Sequence, residues 1–234
     1  MIKIFLSIPK KDDDIIELEK FLNMEEADIY IFPEGFLHSV LLRDALKIIQ
    51  EKKKFVITGY KEQLPDGILE KVLIIDSGEI IGEYTKCILT KDERERGKQR
   101  GKSIHCINTK FGKIGIPICY EIHFPEVARI MALENPVLLI NIIGTGMYHE
   151  MQYRQWTTLA KARAIENEVY VVGCSHYQGE IPLAFAYSPD GDVLLEKQSY
   201  YGGIRIEIEL NESHKKKIDY FSDRVPKCFG KLCE

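Results

Sequence analysis

The chain has 234 residues, a net charge of −4, 45% apolar residues and 29% charged ones. This is the composition of a globular protein with a sizeable core, and it excludes collagenous, disordered and small disulfide-stapled chains. A weakly acidic balance lacks the basic footprint of a general nucleic-acid binder, and no apolar run approaches the roughly 18 residues that a membrane span needs.

Residues 2–8 read as a strand, too short for the apolar core of an export signal and followed by an acidic stretch, so a cytoplasmic location is expected. Residues 13–24 form an amphipathic helix, with Ile15, Leu18, Phe21 and Leu22 on one stripe. A strand over 28–32 stops at Pro33, and a helix over 40–51 leads to a strand over 54–58 that ends at Gly59. Then the rhythm changes. Segments 72–76 and 79–84 flank Ser77-Gly78, and segments 104–109 and 113–118 flank Lys110-Phe111-Gly112, which predicts two hairpins. The charged stretch 91–102 reads as a solvated loop, too mixed in sign for a nucleic-acid patch.

Alternation returns with a helix near 124–134, a strand over 137–143, a long helix near 150–168 and a strand over 169–174. Strands near 183–187, 193–197 and 203–209 follow, with a turn at Pro189-Asp190-Gly191-Asp192. Hairpins mixed with α/β crossovers imply sheets with helices packed outside. No repeat, linker or boundary divides the chain, which is expected to be a single domain over 1–234, with a core to about 210 and a tail over 211–234. On the long helix, Trp156, Leu159, Ala160 and Arg163 fall on neighbouring stripes and read as core or subunit interface; Arg163, Glu166 and Asn167 read as a structural polar network.

Six cysteines stand at 87, 106, 119, 174, 228 and 233 without a C-x-x-C pair. They read as reduced thiols, mostly small core residues. Cys228 and Cys233 are near enough in sequence to pair or share a metal, but no second ligand pair accompanies them. His149-Glu150 lacks the second histidine of a zincin helix, so neither metal nor cofactor is expected.

Three groups stand out because each follows an apolar strand: Glu34 after Ile29-Tyr30-Ile31-Phe32-Pro33, Lys86 after Gly82-Glu83-Tyr84-Thr85, and Cys119 after Ile114-Gly115-Ile116-Pro117-Ile118. Taken singly, Glu34 fits a helix cap or solvated turn, Lys86 an exposed lysine, and Cys119 a buried inert thiol. Together they suffice for acyl transfer at one sheet rim. The thiol needs a base, which a carboxylate supplies. The oxyanion needs donors, which an ammonium and the backbone N–H of Tyr120 at a helix start supply.

Those residues resemble the carbon–nitrogen hydrolase (nitrilase/amidase) superfamily. Phe32-Pro33-Glu34 resembles its F-P-E segment, Tyr84-Thr85-Lys86-Cys87-Ile88-Leu89 its Y-x-K-x-x-L segment, and 115–126 its G-x-x-I-C-(Y/W)-(D/E)-x-x-F-P-E segment. Ala162-Arg163-Ala164-Ile165-Glu166-Asn167 resembles an A-R-A-x-E-N helix, and Ser188-Pro189-Asp190-Gly191-Asp192 a fifth segment, all in the family's order over residues 1 to 210.

The resemblance implies an α/β (α+β) fold, a four-layer α-β-β-α sandwich. It implies Glu34 as general base, Lys86 as oxyanion-stabilising cation and Cys119 as nucleophile. It also implies a supporting glutamate after the lysine, at Glu93 or alternatively Glu95, and a homodimer or larger homo-oligomer paired through helices. A small amide is the expected substrate, with a nitrile as the alternative and a non-catalytic binding protein as a third reading. The relatives' Asn-Pro-Ser or Asn-x-Ala loop is replaced by Asn141-Ile142-Ile143-Gly144-Thr145-Gly146, and Gly173-Cys174-Ser175-His176 replaces a frequent Asn. Gly144 and Thr145 are the candidate contacts for the reacting end of the substrate; position 121 is Glu where Asp is common.

Overall fold

The computed structural model describes residues 1–10, 12, 14–198, 200–210, 220–221 and 223–233. The first half holds β1 (Ile2–Ile8), α1 (Ile15–Met24), β2 (Ile29–Ile31), β3 (Leu37–His38), α2 (Leu42–Lys52), β4 (Phe55–Leu64), β5 (Gly67–Asp76), β6 (Glu79–Thr85), α3 (Lys91–Glu95) and β7 (Lys98–Gln99). The second half holds β8 (Ile107–Thr109), β9 (Gly112–Gly115), a 3-10 turn (Cys119–His123), α4 (Pro125–Ala132), β10 (Leu138–Ile143), α5 (Glu150–Asn167), β11 (Tyr170–Ser175), β12 (Leu183–Tyr187), β13 (Val193–Gln198) and β14 (Gly202–Ile208).

The strands form two sheets. One runs β14-β1-β2-β4-β5-β6, with β3 on β4 and β7 on β5; the other runs β13-β12-β11-β10-β9-β8. Alternation along the first sheet explains the layering. Ile4, Leu6, Ile29, Ile31, Ile57, Val72 and Ile74 join the large core shared with the second sheet. Their neighbours Phe5, Tyr30, Val56, Leu73 and Ile75 pack instead with Leu18, Phe21, Ala45 and Ile49 of α1 and α2. On the far side, Val127 and Met131 of α4 and Trp156, Ala160 and Ala164 of α5 close over the second sheet. The result is the expected α-β-β-α sandwich. Strands buried on both faces carry near-continuous apolar runs such as Leu138–Ile143.

Helix limits follow from local chemistry. Asp14 caps α1 by accepting from the N–H groups of Ile16 (2.9 Å) and Glu17 (3.0 Å); position 13, read as the start of this helix, lies outside the described residues. α5 starts where the His149 ring accepts from Gln152 N–H at 3.1 Å, and it ends on Glu168 in the left-handed region. The first expected hairpin forms as β5 and β6, turning through Ser77 and Gly78, both at positive φ. The second is shorter than expected, pairing only residues 107–109 with 112–114. Pro117 has no N–H to give a ladder, and Ile118 makes a single parallel bridge to Ile142.

Two further departures matter for the site. β4 does not stop at Gly59 but continues to Leu64 beside an equally long β5. The stretch 91–102 is not wholly a solvated loop: it folds into α3 and β7, with Glu93 turned inward. The described part of the tail is a 3-10 segment over Pro226–Cys233; residues 211–219 lie outside the described residues. Among the described residues, no helix is long and apolar enough to cross a membrane.

Phe21 is fully buried between α1 and the first sheet. Phe21→Ala is expected to cost about 3–5 kcal/mol, read as a lowered urea midpoint with an unchanged slope.

Candidate active site

Glu34, Lys86 and Cys119 meet where the two sheets face each other, each just beyond the carboxyl end of a strand. Lys86 Nζ donates to Glu34 Oε1 at 2.7 Å and to Glu93 Oε1 at 2.7 Å. The Cys119 sulfur lies close enough to the Glu34 carboxylate, the Lys86 ammonium and the Gly144 N–H for each to act on its charge.

Glu34 is held by its backbone. Pro33 ends β2, and its carbonyl accepts from Gly59 N–H at 3.2 Å. Position 59 admits no side chain, since a Cβ there would lie 2.5 Å from the Glu34 Cα. The Glu34 carbonyl accepts from His176 Nε2 at 3.0 Å.

Lys86 is placed where its N–H bonds the Glu70 carbonyl (2.9 Å) and its own carbonyl accepts from Gly101 (2.7 Å). Beyond it, Thr90 and Glu93 form a capping box: Glu93 N–H donates to Thr90 Oγ1 (3.2 Å) and Thr90 N–H to Glu93 Oε2 (2.8 Å). The box leaves Glu93 Oε1 for Lys86. Glu95, the alternative support, is exposed and sits 3.7 Å from Lys91.

Cys119 lies on a strained corner, at φ +49 in the left-handed region. Several buried groups lock that corner. Asn141 Nδ2 donates to the carbonyls of Pro117 (2.7 Å) and Cys119 (3.2 Å), and its Oδ1 accepts from Trp156 Nε1 at 2.8 Å. Arg163 donates to the carbonyls of Ile122 (3.1 Å) and His123 (3.3 Å) and pairs with Glu166 at 3.0 Å. Trp156 is thus core, and the Arg163-Glu166-Asn167 group is the expected polar network.

Glu121 does more than open a helix. Its carboxylate accepts from the N–H groups of Cys87 (2.7 Å), Ile88 (3.1 Å) and Ile118 (2.8 Å) and from the Tyr84 hydroxyl (2.9 Å). It therefore ties the segment carrying Lys86 to the segment carrying Cys119.

Charge in the site follows from these contacts. Burial and the neighbouring Glu34 charge push the Cys119 thiol up, against the pull of Lys86 and the Gly144 N–H, so the resting sulfur keeps its proton. Burial alone would lower the Lys86 ammonium, but the charges of Glu34 and Glu93 raise it above the ordinary lysine range. Burial alone would raise Glu93, yet Lys86, the Thr90 N–H and Lys98 hold it down at about 2.

A cleft of about 160 Å3 opens beside these groups, with Glu34, Gly144, Glu70, Lys98 and His176 among its walls. A side chain at Gly144 would displace the Glu34 carboxylate, because a Cβ would lie 2.6 Å from Glu34 Oε2. Thr145 instead turns its hydroxyl to the Gln178 carbonyl at 2.9 Å. Tyr120 follows the nucleophile at the start of the 3-10 turn. Glu70, Lys98 and His176 were missed in the sequence: Glu70 lies mid-strand, Lys98 in a mixed-charge run, and His176 after an apolar strand with no motif. Cys87, Cys106, Cys174 and the exposed Cys228 are free thiols; the side chain of Cys233 lies outside the described residues.

A family model described as carbon-nitrogen hydrolase matches residues 22–206. A probable nitrilase (C965.09) from Schizosaccharomyces pombe is 30% identical over 151 residues, covering 60% of this chain and 54% of that protein. Omega-amidase NIT3 from Saccharomyces cerevisiae is 32% identical over 137 residues, covering 54% of this chain and 43% of that protein. The chain thus spans about half the length of the curated relatives it matches. The crystal structure of a carbon–nitrogen hydrolase from Helicobacter pylori G27 has the same fold, with a TM-score of 0.85 at 18% identity over 100% of this chain and 98% of that one.

A depressed carboxyl contributes stability that is complete above the unfolded value and is lost as the pH falls through the folded one. For Glu93 that window runs from 4.5 down to about 2. Wild type is expected to exceed Glu93→Gln by about 3–5 kcal/mol near neutrality, the usual cost of breaking a buried pair. Denaturant titrations from pH 7 to 2 should show the gap closing only below 4.5.

Proposed function

The chain belongs to the carbon–nitrogen hydrolase family, and from that premise we propose that it is a cysteine-dependent amidase. It cleaves a small amide or carbamoyl compound to a carboxylic acid and ammonia through a thioester. The observation that carries this reading is a cysteine set beside a carboxylate that is itself clamped to a buried ammonium.

Glu34 takes the Cys119 proton as the sulfur attacks the carbonyl carbon. The oxyanion is stabilised by Lys86 Nζ and the Tyr120 N–H. Collapse expels ammonia, with the proton returned by Glu34. Water then attacks the thioester, Glu34 takes its proton, and the acid departs as Cys119 is reprotonated. Glu93 holds the lysine charged and oriented while Glu34 cycles. Gly144 supports the sulfur, and Thr145 shapes the cleft edge indirectly through Gln178.

The name omega-amidase on a relative supports an amide over a nitrile. The same reading includes a cytoplasmic enzyme and a homodimer or larger homo-oligomer; exposed Tyr148 and Met151 beside and on α5 supply an apolar face for pairing.

Ammonia release from a panel of amides and matched nitriles tests the assignment. Cys119→Ala should abolish turnover, and Cys119→Ser should leave little, because an alkoxide is much harder to form than a thiolate. Lys86→Met should lose on the order of 10²–10³ in rate or more. Near-normal turnover in Lys86→Met, or alkylation of Cys119 with no turnover of any substrate, would contradict it.

A further inference from the structure

The cations and anions of the cleft do not match one for one. Among the described residues, Lys61, Lys86 and Lys98 each meet a carboxylate. Lys61 Nζ lies 3.1 Å from Asp12, and Lys98 Nζ lies 2.7 Å from Glu70 Oε1 and 3.2 Å from Glu93. Lys86 bridges Glu34 and Glu93. Among the described residues, three ammonium groups therefore face four carboxylates: Asp12, Glu34, Glu70 and Glu93.

On two residues that line the cleft, a buried polar atom has no partner among the described residues: Glu70 Oε2 and His176 Nδ1. Glu70 is 1% exposed and His176 3%. Both atoms are acceptors. Glu70 spends its other oxygen on Lys98. His176 Nε2 faces the Glu34 carbonyl, which can only accept, so that nitrogen carries the proton. Burial keeps the ring neutral, and Nδ1 is left as a bare lone pair. Buried acceptors without donors are costly, and a ligand with N–H groups removes that cost. Burial and the nearby Glu34 charge also push the Glu70 carboxyl above the ordinary range, a repulsion that a positive charge at Oε2 relieves.

We propose that the cleft recognises amides whose acyl portion carries an ammonium group, received by Glu70 Oε2 and His176 Nδ1 beyond the reacting carbonyl. This names a substrate class and rests on the amidase reading of the same site. An ammonium offers three donors and serves both acceptors at once. A carboxylate-bearing amide would instead meet the excess of acids and would have to draw Lys61 from Asp12.

Binding is measured by calorimetry on the Cys119→Ala protein, so that recognition is read without turnover. The ligands are 3-aminopropanamide, 4-aminobutanamide, butanamide and succinamate. At least one ammonium amide should bind tighter than butanamide by roughly tenfold or more, as a hydrogen bond to a charged group provides. Glu70→Gln in the same background should collapse that ratio. Equal binding of charged and neutral amides, or tighter binding of succinamate, overturns the proposal. The comparison of ligands with Glu70 intact stands even where Glu70→Gln fails to fold. Ammonia release by the wild-type protein tests the amidase reading separately. No release with the binding preference intact discards that reading and keeps the recognition; release without the preference does the reverse.

Discussion

A lysine ammonium that is 1% exposed dominates this structure. Taking a lone ammonium out of water costs several kcal/mol or more, and only close, well-formed partners offset it. Glu34 and Glu93 supply them, both at 2.7 Å. The arrangement has one consequence for stability and another for chemistry. Removing either carboxylate leaves the buried ammonium with a single charged partner. Keeping both fixes a cation beside the sulfur, in a setting where few waters screen it.

The sandwich exists, from the site's point of view, to deliver these groups to one place. Glu34 and Lys86 come from the first sheet, and Cys119 and Gly144 from the second. No local segment could hold them together, since Lys86 and Glu34 are 52 residues apart. Glu121 stitches the two sheets' contributions by collecting three backbone N–H groups and a tyrosine hydroxyl on one carboxylate. Asn141 and Arg163 brace the strained cysteine corner from behind. The sulfur can thus remain a thiol at rest, with its base already beside it.

Much of this could be read from the chain, for identifiable reasons. Apolar runs that stop at Pro33, Thr85 and Ile118 mark strand ends, and the groups following them are those that converge. Helices with a clear stripe and cap, such as α1, stand within a few residues of their expected limits. What escaped depends on distant partners. Residues 91–102 look solvated because their charges alternate, yet the Thr90 capping box turns Glu93 inward and β7 carries Lys98 to Glu70. Glu121 accepts locally from the Ile118 N–H, as a residue at a helix start does, but its other partners lie over thirty residues away. His176 and Glu70 carry no motif at all; only the meeting of the two sheets makes them cleft walls.

The most direct test of the central claim is interception of the acyl group by hydroxylamine during turnover of an amide. A sulfur-bound acyl intermediate predicts that hydroxamate forms in place of acid as hydroxylamine rises, with ammonia still released, and that the Cys119→Ala protein makes neither. Ammonia and acid formed with no hydroxamate at any concentration, or the same products from Cys119→Ala, would contradict it.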